Sequence, residues 1–451
     1  MSAPLLAFTE ASRIIAWRNG SAVTTADFMA DVYHLLPLLP DAVHILNDCH
    51  DRYRFAVALC AIMVAGKINL LPSTRTPQTI VQLQKFAADA WCITDQTPCG
   101  IALPQMQYPG LPEAHATTAP FFIPQLDASQ TVAYVFTSGS TGTPIAHRKT
   151  WGALQRDVQT EARQLGLVAG DAYTLIGTVP AQHMYGFEST VLMALANGFA
   201  LSNAPCFYPA DICAAVQQVP LPRVLVTTPI HLRQLLAMER PLPAVTLLLS
   251  ATAPLSPQLA RQAEQAFGAP LMEIYGSTET GQFATRRPVQ SQEWTLFPDV
   301  VMQRNSTDPQ DERMWISGGH VEKPMPMNDV IECTEGNRFL LHGRMADMVN
   351  IAGKRSSLNW LNHQLNDIEG VADGAFFMPP ENNTNVVTRL QAFVVAPTMN
   401  VADIMAALRT HIDPAFMPRP LHKVEHLPRN ATGKLPQEVL AQLAQQLAES
   451  P

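Results

Sequence analysis

Apolar and polar positions along the chain fall into short alternating blocks. Residues 52–65 are apolar at most positions, Gly66 and Lys67 break the run, and 68–71 reads as a strand. Helix followed by short strand recurs up to about Asp127, the pattern of an α/β layer. From Thr131 the alternation sharpens: 132–136 is an apolar run that ends in Ser, Thr and Gly, and a helical segment led by Trp151 follows Pro144. Residues 245–249 are apolar apart from β-branched Thr246, as in a strand covered on both faces. Ser256 suits an N-cap, Pro257 the first helical turn and Gly268 the helix stop, and 271–274 resumes a strand. Strand, helix and strand in this spacing predict a parallel βαβ unit. Ligands of such sheets bind beyond the carboxyl ends of the strands, which places the loop 250–254 beside 275–279 at one crevice. After Arg344 the pattern changes. Helix-like 358–367, strand-like 390–395, helix-like 401–411 and a helix from Pro436 predict a small α+β unit.

Composition narrows the function classes. Of the 451 residues, 47% are hydrophobic and 15% charged, enough for a large core spread over two or three units. A net charge of −8 supplies no basic excess for phosphate backbones, so a non-specific nucleic-acid binder is excluded. The odd set Cys49, Cys60, Cys92, Cys99, Cys206, Cys213 and Cys333 has no CxxC spacing, which supports neither a disulfide framework nor a zinc site. The first residues lack the basic stretch of a signal peptide, and the longest apolar run, 55–66, is too short to span a bilayer. The expectation is a cytoplasmic enzyme without a membrane span.

Three segments carry chemistry. In Thr137-Ser138-Gly139-Ser140-Thr141-Gly142 two glycines let backbone N–H groups converge, and the hydroxyls add donors, a surface suited to a polyphosphate. No GK[ST] follows, so it is not a Walker loop, and in isolation an ordinary Ser/Gly turn reads the same way. Tyr275-Gly276-Ser277-Thr278-Glu279 places a carboxylate just past a strand, where Mg²⁺ finds hard oxygen ligands. Pro428-Arg429-Asn430-Ala431-Thr432-Gly433-Lys434 puts a lysine behind a glycine turn near the C-terminus.

Together, and in this order, these segments resemble the acyl-adenylate-forming (ANL) superfamily, which includes acyl- and aryl-CoA ligases, luciferases and peptide-synthetase adenylation domains. The family loop usually reads TSGSTGxPK; here Ile145 replaces the lysine, with Arg148 and Lys149 the nearest cations. The resemblance implies an α/β fold: a large N-terminal domain (1–344) of layered, mostly parallel sheets and helices, and a small mobile α+β domain (345–451) bearing the catalytic Lys434. It further implies that Thr137, Ser138, Gly139, Ser140, Thr141 and Gly142 hold the ATP phosphates. Thr252, Ala253, Pro254, Tyr275 and Gly276 would surround adenine, Thr278 the α-phosphate, and Glu279 would ligate Mg²⁺. Asp329 and Arg344 would bind ribose, although Met327-Asn328 replaces the usual Thr-Gly. His183, Tyr185, Gly186 and Ser250 would line the acid pocket, Ala346 and Asp347 the hinge, and Gly353 the thiol tunnel.

The stretches Thr143 to Trp151, Val349 to Arg355 and Asn362 to Asn366 further resemble AMP-ligases of aryl polyene pigment clusters. That likeness implies activation of an aromatic, hydroxybenzoate- or coumarate-like acid with ATP and Mg²⁺, then transfer to an acyl carrier protein. Lys354, Arg355, Arg419, Lys423 and Arg429 offer a docking face for such an acidic carrier. Three alternatives stand beside it: a ligase using free CoA, a peptide-synthetase adenylation domain, and a catalytically impaired acyl or nucleotide sensor, the last motivated by Ile145 and the altered hinge.

Overall fold

The structure, a computed structural model, describes residues 2–110, 121–137, 144–238, 240–305, 311, 313–351, 354–379, 389–430, 433 and 435–449. One six-stranded sheet runs Ile145–Thr150, Thr131–Thr137, Ile68–Leu71, His44–Asp48, Trp91–Thr94, Gln105–Gln107. All its neighbours are parallel except the first pair. An eleven-stranded sheet runs Asp329–Cys333, Arg338–Arg344, Trp294–Leu296, Gly281–Arg286, Leu271–Ser277, Leu247–Ser250, Arg223–Thr227, Thr174–Gly177, Ala200–Ser202, Ile14–Arg18, Ser21–Thr24. Its centre is parallel from Leu271–Ser277 to Ile14–Arg18, and antiparallel strands close both ends. The α/β expectation holds: Ile14–Arg18 and Ser21–Thr24 join the second sheet, and the strands from His44 to Gln107 belong to the first.

The Arg52–Val64 helix explains why its sequence lacks an amphipathic stripe. It is buried along nearly its whole length and packs on His44–Asp48 and Ile68–Leu71 of one sheet and Ala200–Ser202 of the other. Asp51 caps it by accepting from Arg54 N, worth about 1 kcal/mol. Buried Arg52 donates to the carbonyls of Gly177, Val179 and Ser202, satisfying strand ends that would otherwise be orphaned.

The βαβ unit is parallel, with Leu248 opposite Leu271. Its helix, Pro257–Phe267, is capped by Ser256 and stopped by Gly268 at φ +65°, as the sequence predicts. Two boundaries differ. The first strand spans Leu247–Ser250 rather than 245–249, because Thr246 is tied to Arg223 through both its N–H and its hydroxyl. The next runs on to Ser277, because Gly281–Arg286 folds back and pairs with it.

Beyond Arg344, the ribbon of Met348–Ile351 and Lys354–Ser357 leads into a three-stranded sheet of Asp373–Phe377, Gln391–Val395 and Leu421–Lys423. The helices Leu358–Asn366, Val401–His411 and Gln437–Glu449 accompany it. Leu361, Leu365, Phe376, Val394, Ile404 and Leu408 form a hydrophobic core of its own. No helix among the described residues is long and apolar enough to cross a membrane.

Candidate active site

Residues 138–142 of the predicted phosphate loop lie outside the described residues, but both of its flanks are placed. Thr137 ends one strand and Ile145 opens the antiparallel return, opposite it in register. His147 on the returning strand sets Nε2 2.9 Å from Thr137 Oγ1 and 3.7 Å from Glu279 Oε1. Lys149, buried, donates from Nζ to the Glu279 carbonyl at 3.3 Å. Of the two cations considered as substitutes for the missing lysine, Lys149 therefore reaches the Glu279 segment. Arg148 lies 3.7 Å from Glu322 instead.

Glu279 sits in a tight turn. The Ser277 hydroxyl accepts from Thr280 N and the Thr280 hydroxyl from Ser277 N, each at 3.2 Å, which leaves Thr278 and Glu279 at the tip. Gly276 is obligatory, since a Cβ there would lie 2.3 Å from the Gly281 carbonyl oxygen. The Tyr275 ring packs among Phe283, Trp294 and Phe339. Next to this strand, Ser250 is fully buried and its Oγ has no hydrogen-bond partner among the described residues. Thr252 adopts φ +78°, a strained conformation for a β-branched residue, and Ala253 and Pro254 complete the loop. Across the sheet, Asp329 is the register partner of Arg344, so the two residues expected at ribose face each other in the ladder. The Met345–Asp347 turn, which holds Ala346 and Asp347, follows directly and is tied back by Met345 N to Asn328 O at 2.8 Å.

In the segment expected to line the acid pocket, His183 precedes a short helix, Met184–Gly186, that continues as a π-helical stretch, Phe187–Leu192. Gly186 permits a close approach, because a Cβ would fall 2.1 Å from Pro180 O. Tyr185 is buried and donates its hydroxyl to Leu249 O at 2.9 Å, which ties this segment to the central sheet. Sequence reasoning missed His231, whose Nδ1 meets Thr228 Oγ1 at 2.8 Å and Thr178 Oγ1 at 3.1 Å at the same strand ends. No spacing signal marks it.

Lys434 and Gly353 lie outside the described residues, as does the side chain of Arg344. Gly433, the neighbour of Lys434, is placed: a Cβ on it would be 3.1 Å from Ile230 Cγ2, at the carboxyl end of Arg223–Thr227. The turn is held by Arg429, which donates to Gly433 O and pairs with Asp373 through two bonds of 2.7 Å.

Behind Glu279 lies a buried charge cluster. Burial pulls the Lys149 amine below its usual range, while Glu188, Asp157, Glu279 and Glu322 push it back. Asp157 is pushed up to about 7, chiefly by burial, and shares a hydrogen bond with Glu188, which burial and Asp157 hold well above the carboxylate range. Both carboxyls thus hold their protons more tightly than free ones, because burial disfavours their charged forms.

Three further features bear on the sequence expectations. The fold brings Asp48, Cys92 and Cys99 within 4.8 Å of one another despite their spacing, but Arg75 already pairs with Asp48 and burial holds the Cys92 thiol up. The basic docking face is weaker than the sequence suggests. Lys354 pairs with Asp413, Arg429 with Asp373, and Lys423 donates to the carbonyls of Pro397 and Met399. A cavity of about 500 Å³ opens at the opposite end of the strands, lined by Arg286, Arg287 and Arg338, each already paired with a glutamate.

Strand ends of a parallel sheet, a presented carboxylate and a docked C-terminal turn are the frame of a nucleotide-binding enzyme. Residues 32–330 match the AMP-binding enzyme family, and the chain belongs to it. It is 31% identical over 286 residues to a 4-coumarate–CoA ligase of Rhodobacter capsulatus, spanning 63% of this chain and 69% of that one. Its fold is similar to an anthranilate CoA ligase in complex with anthranoyl-AMP (TM-score 0.80, 15% identity, 98% and 96% covered). It is also similar to the O-succinylbenzoate coenzyme A synthetase of Bacillus subtilis in complex with ATP and magnesium ion (TM-score 0.78, 16% identity, 97% and 99% covered). Membership carries adenylate-forming activation of a carboxylic acid and the class of acid–thiol ligase. Magnesium favours carboxylate and phosphate oxygens, and the partly exposed Glu279 carboxylate near Thr137 fits that ion.

Proposed function

We propose that the chain activates an aromatic, hydroxybenzoate- or coumarate-like acid with ATP and passes the acyl group to the phosphopantetheine thiol of an acyl carrier protein. Residues 1–344 form the adenylating domain and 345–451 a mobile lid. One observation carries the reading: the turn preceding Lys434 rests on Ile230 at the strand ends where Thr137 and Glu279 converge.

The acid's carboxylate oxygen attacks the α-phosphorus of ATP, forming acyl-AMP and releasing pyrophosphate. Both reactants are anions, so catalysis is positioning and charge neutralisation. Lys434 neutralises the carboxylate and α-phosphate, residues 137–142 hold the pyrophosphate, and Asp329 with Arg344 fixes ribose. Glu279 would hold Mg²⁺, which would screen the charge of the phosphates. The lid then turns about residues 344–347, and the thiol attacks the acyl carbonyl, expelling AMP, with Gly353 beside the tunnel.

A second reading, transfer to free CoA, is favoured by the coumarate–CoA ligase relative. Pyrophosphate exchange over benzoic, cinnamic and fatty acids tests the acid class, and preference for a long fatty acid would sink it. Loading of holo carrier protein against CoA separates the acceptors; turnover with CoA alone removes the carrier reading.

A further inference from the structure

Side chains two apart on a strand share a face, so Ile145, His147 and Lys149 stand in one row. The first occupies the position of the family's lysine and is 54% exposed, with no charge to offer. The other two both end on the segment that carries Glu279. Thr137 belongs to the six-stranded sheet and Glu279 follows a strand of the eleven-stranded one. His147 is thus a bridge between the two sheets at the triphosphate side of the crevice.

We propose that His147 is a positioning residue for MgATP: it orients the Thr137 hydroxyl and steadies the Glu279 carboxylate, the role left vacant by Ile145. Lys149 fixes the same turn from below. The inference rests on the adenylation reading above.

The chemistry follows from where the ring proton sits. A bare ring nitrogen 3.7 Å from a carboxylate oxygen would set two lone pairs against each other, which places the proton on Nε2. In that tautomer the N–H donates to Thr137 Oγ1, which lies 2.9 Å away. Thr137 keeps its own O–H to donate into the crevice, toward an anion. In the other tautomer Thr137 would give its proton to the ring and present only lone pairs to the phosphates. His147 therefore sets the polarity of the residue that leads into the loop. Lys149 is 7% exposed and bonded to the Glu279 carbonyl, so it acts on the turn and not on the loop.

Two variants of similar bulk separate this role from space-filling. His147→Met removes the N–H, whereas His147→Gln keeps an N–H within reach of Thr137. MgATP binding is measured by calorimetry without acid, together with ligand-free melting and the exchange KM for ATP. His147→Met is expected to bind MgATP about 10-fold more weakly, the scale of one hydrogen bond to a charged site. KM for ATP should rise more than kcat falls, and His147→Gln should stay within about threefold of the parent. Equal MgATP affinity in the two variants would overturn the proposal. Failure of the parent itself to bind MgATP would instead overturn the adenylation reading.

Discussion

An alanine at position 276 would place its methyl 2.3 Å from the Gly281 carbonyl oxygen and 2.7 Å from Gln282 Cα, whereas ordinary contact begins near 3.4 Å. The two arms of the turn would have to part by about 1 Å. Neither arm is free to move. Ser277 and Thr280 bond reciprocally, and Gln282 N donates to buried Asp157 at 3.2 Å. Forcing such a contact costs about 1–3 kcal/mol, a fall in melting temperature of roughly 1–3 °C for a protein of this size. The same displacement moves Glu279, and a misplacement of about 1 Å can cost 10²-fold in rate. Gly276→Ala is therefore expected to lose about 100-fold in acid-dependent ATP–pyrophosphate exchange while remaining folded by circular dichroism. Gly268→Ala provides the control: its φ is +65° and nothing lies within 4 Å of the added methyl. It should cost about 1 kcal/mol of stability and leave exchange intact. A Gly276→Ala protein that exchanges pyrophosphate within threefold of the parent would show that the turn does not position the reaction.

Thr252→Gly should relieve the strain at φ +78° and raise the urea-derived stability by about 1 kcal/mol; an unchanged or lower midpoint refutes the strain. Lys434→Ala should abolish pyrophosphate exchange, and persistence of exchange would count against the proposed first step. Asp157 is raised to about 7, above the unfolded value near 4, so the folded state holds its proton more tightly. Its contribution is complete below pH 4 and is lost as pH rises toward 7. Asp157→Asn should therefore lose less stability than the parent between pH 5 and 8, by on the order of 2–3 kcal/mol in urea titrations; parallel profiles would refute this.

Local signals in the sequence were read well. The Ser256 cap and the Gly268 stop bound their helix as predicted, and 401–411 is a helix to the residue. Strand identity was equally legible where a run was buried on both faces, as at 68–71. What the sequence hid depends on tertiary pairing. The Thr137–His147–Glu279 contact joins residues of separate sheets, and only the alternation of Ile145, His147 and Lys149 hinted at it. Nothing local reveals that the Tyr185 hydroxyl is taken by Leu249 O. The acidic partners of Lys354 and Arg429 were hidden for the same reason, since Asp413 and Asp373 are distant in sequence from them.

The π-helical stretch Phe187–Leu192 has a consequence for how this protein can vary. A π turn holds an extra residue relative to an α turn, and each α-helical residue advances about 100° around the axis. Losing a single residue there would restore the regular winding and swing His183 and Tyr185 by roughly that angle relative to the anchored Met193–Asn197 end. Tyr185 would be pulled off its carbonyl and the histidine turned from its present direction. Chain length in this stretch, counted in single residues, thus acts as the dial that aims these two side chains, and indels are far less tolerable there than conservative side-chain exchanges.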